Sequence, residues 1–426
     1  MGGAPGQRRG ASAVKRVGGP LASRNFQLLL TCDVVSTLGT AVALVAIPFA
    51  VLSIGGSAAD VGYVTAAGMA PVIVFLLLGG VIADRLPRQQ VMAGANVLEA
   101  LAQAGSAALV LSGHAQVWQL MALAALRGTG MGFYFPAASG LLPQTVQAQH
   151  RSQANALDRI GRNVSLISGS ALGGVLVGFA GPGWGLAVDA VSYAVAALLR
   201  AGMRVPAQPR ESAGHMVHEL REGWREFSSR RWLWAIVLEF SLLVAIWDGA
   251  TDVLGPVVAH DQLGGAHSWG IVLSAQAAGA VLGGLVMIRF RPRRMLLIGS
   301  LSTAPTSVLL FALAVPLTVP VIAVAAFAAG GLIEVFEVNW ATAMQQEIPP
   351  DTLSRVSSYD ALGSWGLSPV GTAVAGPLAV ALGTPVVLAA AGVLIVALTA
   401  AVLCVPEVRD LRRRQSPVTT AGRRAH

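Results

Sequence analysis

Acidic side chains inside long apolar stretches are the residues of this sequence whose types could do chemistry. Asp33 and Glu239 each follow an arginine by nine residues, and Glu334 and Glu337 are three residues apart, a spacing that shares one helix face. Removal from water favours the neutral form of a carboxyl group, so such a group can take up and release a proton. These acids predict a proton-coupling site in a cavity suited to a cationic, amphipathic molecule. The alternative is a set of acids satisfied by hydrogen bonds between helices.

Four other acids lie in the same kind of stretch. Glu99 lies within one of them, and Asp248 and Asp252 lie near the end of another, where solvation is expected. Both interpretations stay open for Asp248 and Asp252. Asp189 is predicted to be structural.

Arg127 lies about midway along the apolar stretch 116–140. An arginine at the centre of a bilayer costs about 2.5–3.5 kcal/mol on insertion scales, so its side chain must face a cavity or an acidic partner. The sequence therefore predicts a role in the chemistry. The alternative is a structural pair with a carboxylate or with backbone carbonyls.

Composition determines the elements that must position these side chains. Of the 426 residues, 54% are hydrophobic and 12% are charged, and the mean hydropathy is +0.65. A soluble domain has about 25% charged residues, so this chain needs a solvent other than water. Apolar runs of about 20 residues span a bilayer, and they should be helices because lipid cannot satisfy an irregular backbone. We predict twelve spans, at approximately 25–52, 59–83, 91–112, 116–140, 157–180, 183–203, 232–258, 268–289, 295–316, 318–343, 355–382 and 385–405.

The predicted fold is therefore all-α, a polytopic membrane protein with two pseudo-symmetric six-helix bundles. The bundles would occupy residues 23–204 and 232–406, joined by a polar linker at 205–231. Residues 1–22 and 407–426 are basic tails, and the first is predicted to be disordered. A shift of 202 residues aligns Asp158 with Asp360, Gly169 with Gly371 and Gly174 with Gly376. This match predicts an internal duplication, with the substrate path between the halves.

The distribution of arginine predicts the orientation of the chain. Arginine supplies all but one of the 29 cationic side chains. The arginines that lie between predicted spans occur only in every second connection. Cytoplasmic loops carry such an excess, so both termini, the linker and both tails are predicted to be cytoplasmic. The same distribution accounts for the net charge of +8 without a nucleic-acid partner.

Several classes of function are disfavoured. Lys15, the only lysine, lies outside any phosphate-binding G-x-x-x-x-G-K-[ST] loop, which argues against an ATP-driven pump. Two cysteines cannot build a four-ligand zinc site. We find no nucleophile–base pair, so we do not expect an enzyme. We also expect no metal or cofactor, and we expect a proton gradient to be the driving force.

The segment GGVIADRLPRQQ, residues 79–90, places an acid between basic residues at the end of an apolar run. It resembles the signature G-x-L-A-D-R-x-G-R-R of the major facilitator superfamily. Gly80, Asp84, Arg85 and Arg88 match, whereas a proline and a glutamine replace the second glycine and a basic residue. The resemblance implies a conformational latch. The alternative is an ordinary basic loop of the inner face.

Two further motifs resemble patterns of the same superfamily. Arg127 followed by Gly130 and Gly132 resembles its helix 4 pattern R-x-x-x-G-x-G, with a spacing one residue shorter in this chain, and the resemblance implies a role in coupling protons to substrate movement.

The second motif is Gly169, Gly173 and Gly174, which resembles the antiporter signature G-P-x-x-G-G with Ser170 in place of the proline. This signature is associated with exporters that exchange drug for proton. Close helix packing by small residues is the alternative.

The resemblance extends from residue 23 to 406 and includes the run 339–379, which is similar to actinobacterial drug-efflux-like facilitators of the macrolide-exporter and siderophore-exporter kinds. It implies a monomeric secondary active transporter of the bacterial plasma membrane. The implied activity is proton-coupled efflux of a small amphipathic molecule by alternating access. Import of a small metabolite, or a receptor or sensor without transport, are the alternatives.

Overall fold

The computed structural model of the chain describes residues 19–203, 205, 224–315 and 317–413, without the side chains at 77–85, 139, 350, 351 and 354. Most of the predicted N-terminal tail, most of the predicted linker and the end of the C-terminal tail therefore lie outside the described residues. The described residues are helical apart from short connections and an isolated β-bridge between Arg294 and Arg412.

Six long helices form the first half of the chain. They are α1 (Arg24–Ser53), α2 (Ala58–Arg85), α3 (Arg88–Leu111), α4 (Val117–Thr145), α5 (Arg151–Ala180) and α6 (Pro182–Ala201). The Ser23 hydroxyl caps α1 by accepting a hydrogen bond from the backbone N–H of Phe26. Gly181, with φ +90°, makes the turn between α5 and α6, and proline follows it at the first helical position.

Six membrane-length elements form the second half. They are α7 (Arg231–Gln262), α8 (Ala266–Arg289), α9 (Met295–Ala314), α10 (Val319–Glu347), α11 (Pro350–Trp365 and Ser368–Leu382) and α12 (Thr384–Val402), followed by the short α13 (Pro406–Asp410). A π-helical turn at Gly249–Leu254 interrupts α7 just before Pro256, which has no backbone N–H to donate. Gly383, 202 residues after Gly181, has the same φ of +90° and makes the turn between α11 and α12.

Eleven helices in the described part of the chain are long and apolar enough to cross a membrane. The one remaining predicted span, 116–140, corresponds to α4. This helix has 29 residues and a length of about 43 Å, which is enough to span, but Arg127 lowers its hydropathy. α4 packs on α2 and α3 among the spanning helices. The predicted all-α membrane fold is confirmed.

The two halves are joined at the face opposite the termini. We call the side at which α1 begins and α12 ends the termini face, and the opposite side the far face. One continuous cluster of buried apolar residues at the far face draws on both halves, and it includes Phe49, Leu186, Trp247, Trp269 and Ala379. Two pairs of helices make the main contacts between the halves, α5 with α8 and α2 with α11.

Near the termini face the buried apolar residues form two separate clusters. One contains Met92 and Leu141 of the first half, and the other contains Leu233 and Trp340 of the second. The halves are therefore packed together at the far face and have separate cores at the termini face.

Glycines set the closest approaches of the helices. A Cβ atom added to Gly169 would lie 2.6 Å from the Leu38 carbonyl oxygen in α1, and one added to Gly371 would lie 2.0 Å from the Ala245 carbonyl oxygen in α7. A side chain at either position would therefore bring its Cβ atom too close to the backbone of the neighbouring helix. The pair aligned by the duplication thus contacts the first helix of its own half in each case.

The neighbouring glycines face the opposite half. A Cβ added to Gly174 would lie 2.9 Å from the Cα of Gly270 in α8, and one added to Gly376 would lie 2.2 Å from the Ala58 carbonyl oxygen in α2. Gly173, on the same helix as Gly174, faces α1 instead, with an added Cβ 2.9 Å from the Val42 Cα. The glycines predicted to pack helices closely therefore lie at both the intra-half and the inter-half contacts.

We expect Gly376→Ala to lower the free energy of unfolding by about 1–3 kcal/mol, because α11 must move away from the α2 backbone to make room for the methyl group. Thermal unfolding of the purified protein in detergent measures the effect. The control is Gly178→Ala, whose added Cβ would lie at an ordinary contact distance of 3.7 Å from His267. Equal transition temperatures for the two variants would contradict the close approach.

Candidate functional site

Asp33 lies at the centre of a buried polar cluster contributed by α1, α3, α4, α5 and α6. One carboxylate oxygen accepts hydrogen bonds from the Tyr134 hydroxyl, at 3.0 Å, and from the Arg200 guanidinium. The other accepts one from Arg162 at 3.2 Å. Arg200 is fully buried and Asp33 is 3% exposed. We call this group, together with Asp158 and Asn96, the Asp33 cluster.

The charges of the Asp33 cluster balance. Arg162 donates a second hydrogen bond to Asp158, at 3.0 Å, so two guanidinium groups face two carboxylates. Arg200 also donates to Asn96 at 2.7 Å, and its guanidinium carbon lies 4.8 Å from the Tyr134 ring centroid. Buried charges persist when they are paired and hydrogen-bonded. Asp33 thus matches the alternative that the sequence left open, an acid satisfied across helices.

A second cluster, from α3, α4 and α6, consists of Arg127, Glu99, Asp189 and Gln103; we call it the Arg127 cluster. The Gln103 amide donates to Asp189 at 2.6 Å, and Arg127 is close enough to both carboxyl groups for a favourable charge interaction. Asp189 is fully buried and Glu99 is 2% exposed. A cavity of about 20 Å³ adjoins Arg127 and Gln103, which is room for one water molecule.

The charges of the Arg127 cluster do not balance. It holds two carboxyl groups and one guanidinium, so it carries a net negative charge unless one carboxyl group binds a proton. Arg127 Nε, Glu99 Oε2 and Asp189 Oδ1 are buried without a hydrogen-bond partner among the described residues. Such unmet polar atoms are costly; a proton bound by a carboxyl oxygen would reduce the surplus of acceptors, and a water molecule could accept a hydrogen bond from the Arg127 N–H. The cluster is therefore chemically suited to bind and release one proton.

The glycines of the helix 4 pattern explain how the Arg127 cluster is assembled. A Cβ added to Gly130 would lie 2.8 Å from the Glu99 side chain and 3.0 Å from the Ala95 carbonyl oxygen in α3. One added to Gly132 would lie 2.7 Å from the Phe75 side chain in α2. These small residues let α4 pass between α2 and α3, which places Arg127 beside Glu99.

The predicted acids of the second half lie in different surroundings. Glu239 of α7 is 5% exposed, and neither of its carboxylate oxygens has a hydrogen-bond partner in the part of the chain that the structure describes. Asp248, further along α7, accepts a hydrogen bond from the Ser368 hydroxyl of α11.

Glu334 and Glu337 lie on one face of α10, as their spacing predicts. Glu334 accepts a hydrogen bond from Arg159 of α5 at 3.2 Å, and the Arg159 side chain is 70% exposed. This ion pair joins the two halves, so this face of α10 borders the space between them. Glu337 lines a cavity within the second half.

The predicted latch lies only partly within the described residues. Gly80, Asp84 and Arg85 belong to the last turns of α2, where side chains are not described. Arg88 begins α3, and its guanidinium fills the space over Gly140 of α4, since a Cβ on that glycine would overlap it. The role of the latch stays a prediction.

We expect Asp84→Asn to slow turnover more than it weakens substrate binding, because a latch acts on the change of conformation and does not touch the substrate. Transport rates in proteoliposomes and equilibrium binding of the same compound separate the two quantities. Unchanged turnover would favour an ordinary basic loop.

Comparison with known proteins agrees with this architecture. Residues 17–419 match the family described as transmembrane secretion effectors. The chain is 25% identical over 405 residues to the multidrug efflux pump Tap of Mycolicibacterium fortuitum, covering 92% of this chain and 98% of that protein. It is 24% identical over 398 residues to macrolide efflux protein A of Streptococcus pyogenes, covering 91% and 96%.

Solved structures share the fold at lower identity. The nucleoside transporter NupG aligns with a TM-score of 0.71 and 14% identity, over 89% of this chain and 98% of that one. A bacterial homologue of the iron transporter ferroportin, in an inward-facing state, aligns with a TM-score of 0.66 and 16% identity, over 89% and 98%. The family and these relatives are membrane transporters and not enzymes. The chain belongs to the transmembrane secretion effector family of the major facilitator superfamily, and it is a multi-pass membrane transporter.

Proposed function

We propose that this transporter exports a small amphipathic molecule across the bacterial plasma membrane in exchange for protons, by alternating access. The efflux activity named for the relatives supports export. The arginine-rich connections support a cytoplasmic position for both termini, and hence for the termini face.

The Arg127 cluster is the observation that carries proton coupling. A coupling site needs a group that is shielded from water, holds a proton in one conformation and releases it in another. Glu99 and Asp189 are buried, they outnumber the one guanidinium of their cluster, and each has an oxygen without a hydrogen-bond partner among the described residues. Rotation of α4 against α3 and α6 would change the distance from Arg127 to each carboxyl group and hence its affinity for a proton.

The separation of the halves at the termini face supports loading from the cytoplasm. Their common core lies at the far face, while each half has its own core at the termini face. With the predicted orientation, this conformation admits substrate from the cytoplasm. The conversion that releases it outside must break the contacts at the far face and close the termini face.

Accumulation of the fluorescent cation ethidium in cells tests the proposal. Cells that express the protein should accumulate less ethidium than cells with an empty vector, and a protonophore should abolish the difference. Everted membrane vesicles provide the matching measurement, because imposed acidity inside should drive ethidium uptake. A panel of macrolides and other amphipathic compounds extends the assay.

Two results would contradict the proposal. Higher accumulation on expression would indicate an importer. Unchanged accumulation of every compound would favour a receptor or sensor.

A further inference from the structure

The second half contains a cavity of about 110 Å³ between α7, α10 and α11. Aromatic and acidic side chains dominate its wall: Phe240, Phe336, Trp340, Trp365, Glu337 and Asp360. None of the described residues that line it carries a positive charge. The cavity is smaller than a pocket for a whole drug-sized molecule, so it fits one end of such a molecule.

Three rings form one side of the cavity. The Phe240 and Phe336 ring centroids are 4.8 Å apart with planes at 11°, and those of Phe336 and Trp340 are 6.3 Å apart with planes at 8°. Aromatic faces attract cations, and aromatic cages recognise substituted ammonium groups in this way. Because Phe240 and Phe336 each turn one face toward the other, this wall offers a ligand the remaining ring surface and apolar contact, and the preference for a cation rests mainly on the acidic side chains.

The duplication shows what has changed at this position between the halves. The 202-residue shift aligns Asp158 with Asp360 and Arg162 with Ser364. In each half the aspartate accepts a hydrogen bond from the residue four positions later, at 3.0 Å from Arg162 and at 3.2 Å from Ser364. The two halves therefore share the carboxylate, whose partner is a guanidinium in the first half and a hydroxyl in the second.

The tyrosine of the Asp33 cluster also has a less polar counterpart in the second half. Tyr134 aligns with Phe336, so a ring remains and its polar hydroxyl does not. Ser364 and Phe336 both line the cavity. The cavity thus occupies the place in the second half that arginine and tyrosine fill in the first.

The charge around the cavity is negative. Three carboxyl groups, those of Glu334, Glu337 and Asp360, lie at or beside the cavity, and Arg159 reaches across from the first half to pair with Glu334. Asp360 also accepts a hydrogen bond from the Trp340 indole at 3.1 Å, which fixes the carboxylate beside the aromatic wall. Glu337 lines the cavity and lies on the α10 face where Glu334 pairs across the two halves, so the cavity adjoins the space between them.

We propose that this cavity is a subsite for the substituted-ammonium end of the transported molecule, where the ammonium takes the position that the guanidinium of Arg162 takes in the first half. The inference rests on the proposed transport function and names the class of substrate, an amphipathic amine or quaternary ammonium compound. The aromatic wall contacts its alkyl groups, and Glu337 and Asp360 supply the countercharge.

Binding of benzyltrimethylammonium, compared with its neutral carbon isostere neopentylbenzene, tests the proposal on the full chain in lipid nanodiscs. Binding of the cation should quench the tryptophan fluorescence of the wild-type protein. The Kd for the cation from this titration should be at least tenfold below the Kd for the isostere. Glu337→Gln and Phe240→Leu should each raise the Kd for the cation about tenfold and leave that for the isostere within twofold. Glu347→Gln and Phe327→Leu, on α10 outside the cavity, are the matched controls.

The variant Ser364→Arg provides an independent test of the same subsite. It restores the residue type of the first half, so its guanidinium should fill the cavity, pair with Asp360 and abolish binding of the cation. Thermal unfolding of the same sample shows whether the variant is folded. Equal affinity for the cation and its isostere, or wild-type affinity in folded Glu337→Gln and Ser364→Arg, would overturn the subsite.

The two proposals fail in distinguishable ways. Export of compounds by a protein that does not discriminate the cation from its isostere would remove the subsite and leave the transport function. Specific binding of the cation without export of any compound would do the reverse.

Discussion

Arg127→Ala should abolish transport and leave the protein inserted in the membrane. Arg127 is the one cationic member of the Arg127 cluster, and its removal strongly disfavours the charged forms of Glu99 and Asp189, so we expect both acids to stay protonated through the cycle. Insertion should survive because the two neutral carboxyl groups no longer need a countercharge. The initial rate of ethidium efflux measures transport, and the amount of protein in washed membranes measures insertion.

Two variants make this result specific. Arg289→Ala removes an arginine from the exposed end of α8 and should transport at the wild-type rate. Arg127→Lys keeps the charge without the planar group that can reach both acids, so its rate should lie between those of the wild type and Arg127→Ala. Normal efflux by Arg127→Ala would remove this residue from the mechanism.

Asp33→Asn should lower the free energy of unfolding by about 3–5 kcal/mol, because it leaves Arg200 and Arg162 with Asp158 as the one remaining carboxylate of the cluster. Arg200 is fully buried and cannot recover its hydration in the folded state. The transition temperature of the purified protein in detergent, followed by tryptophan fluorescence, measures the loss.

Charge balance predicts the controls for Asp33. Asp261→Asn removes a carboxylate whose side chain is 56% exposed, and it should leave the transition temperature unchanged. The double variant Asp33→Asn/Arg200→Met removes one charge of each sign and should recover part of the loss. If Asp33→Asn unfolds at the wild-type temperature, the cluster does not stabilise the fold.

Most of the helices could be predicted because hydropathy alone defines a membrane span. The stretches 59–83, 183–203 and 295–316 correspond to Ala58–Arg85, Pro182–Ala201 and Met295–Ala314. The π-helical turn in α7 could not be predicted: Pro256 removes a backbone donor there, but the sequence does not show that the helix widens or that it contacts α11 at this place. An added Cβ at Gly249 would lie 2.8 Å from the Gly371 carbonyl oxygen, a contact between residues far apart in the sequence.

The candidate site was predictable where a single residue is unusual and not where several helices combine. Arg127 stands out as a charge in the middle of an apolar run, but nothing in the sequence pairs it with Glu99 or with Asp189, which we expected to be structural. Spacing relates residues on one helix, whereas the partners of Asp33 lie on α4, α5 and α6, 101, 129 and 167 residues away. The duplication was the one sequence signal that could relate such distant positions.

The two crossings between the halves have a consequence for the speed of switching. Gly174 meets Gly270 in one crossing and Gly376 meets the backbone at Ala58 in the other, so the nearest atoms belong to the main chain. Glycine has no rotamers, and no side chain at these points has to leave a neighbour's groove before the halves can turn. The barrier to separating the halves at these crossings therefore contains little side-chain entropy, and the two contacts can break and re-form in every cycle without side-chain repacking.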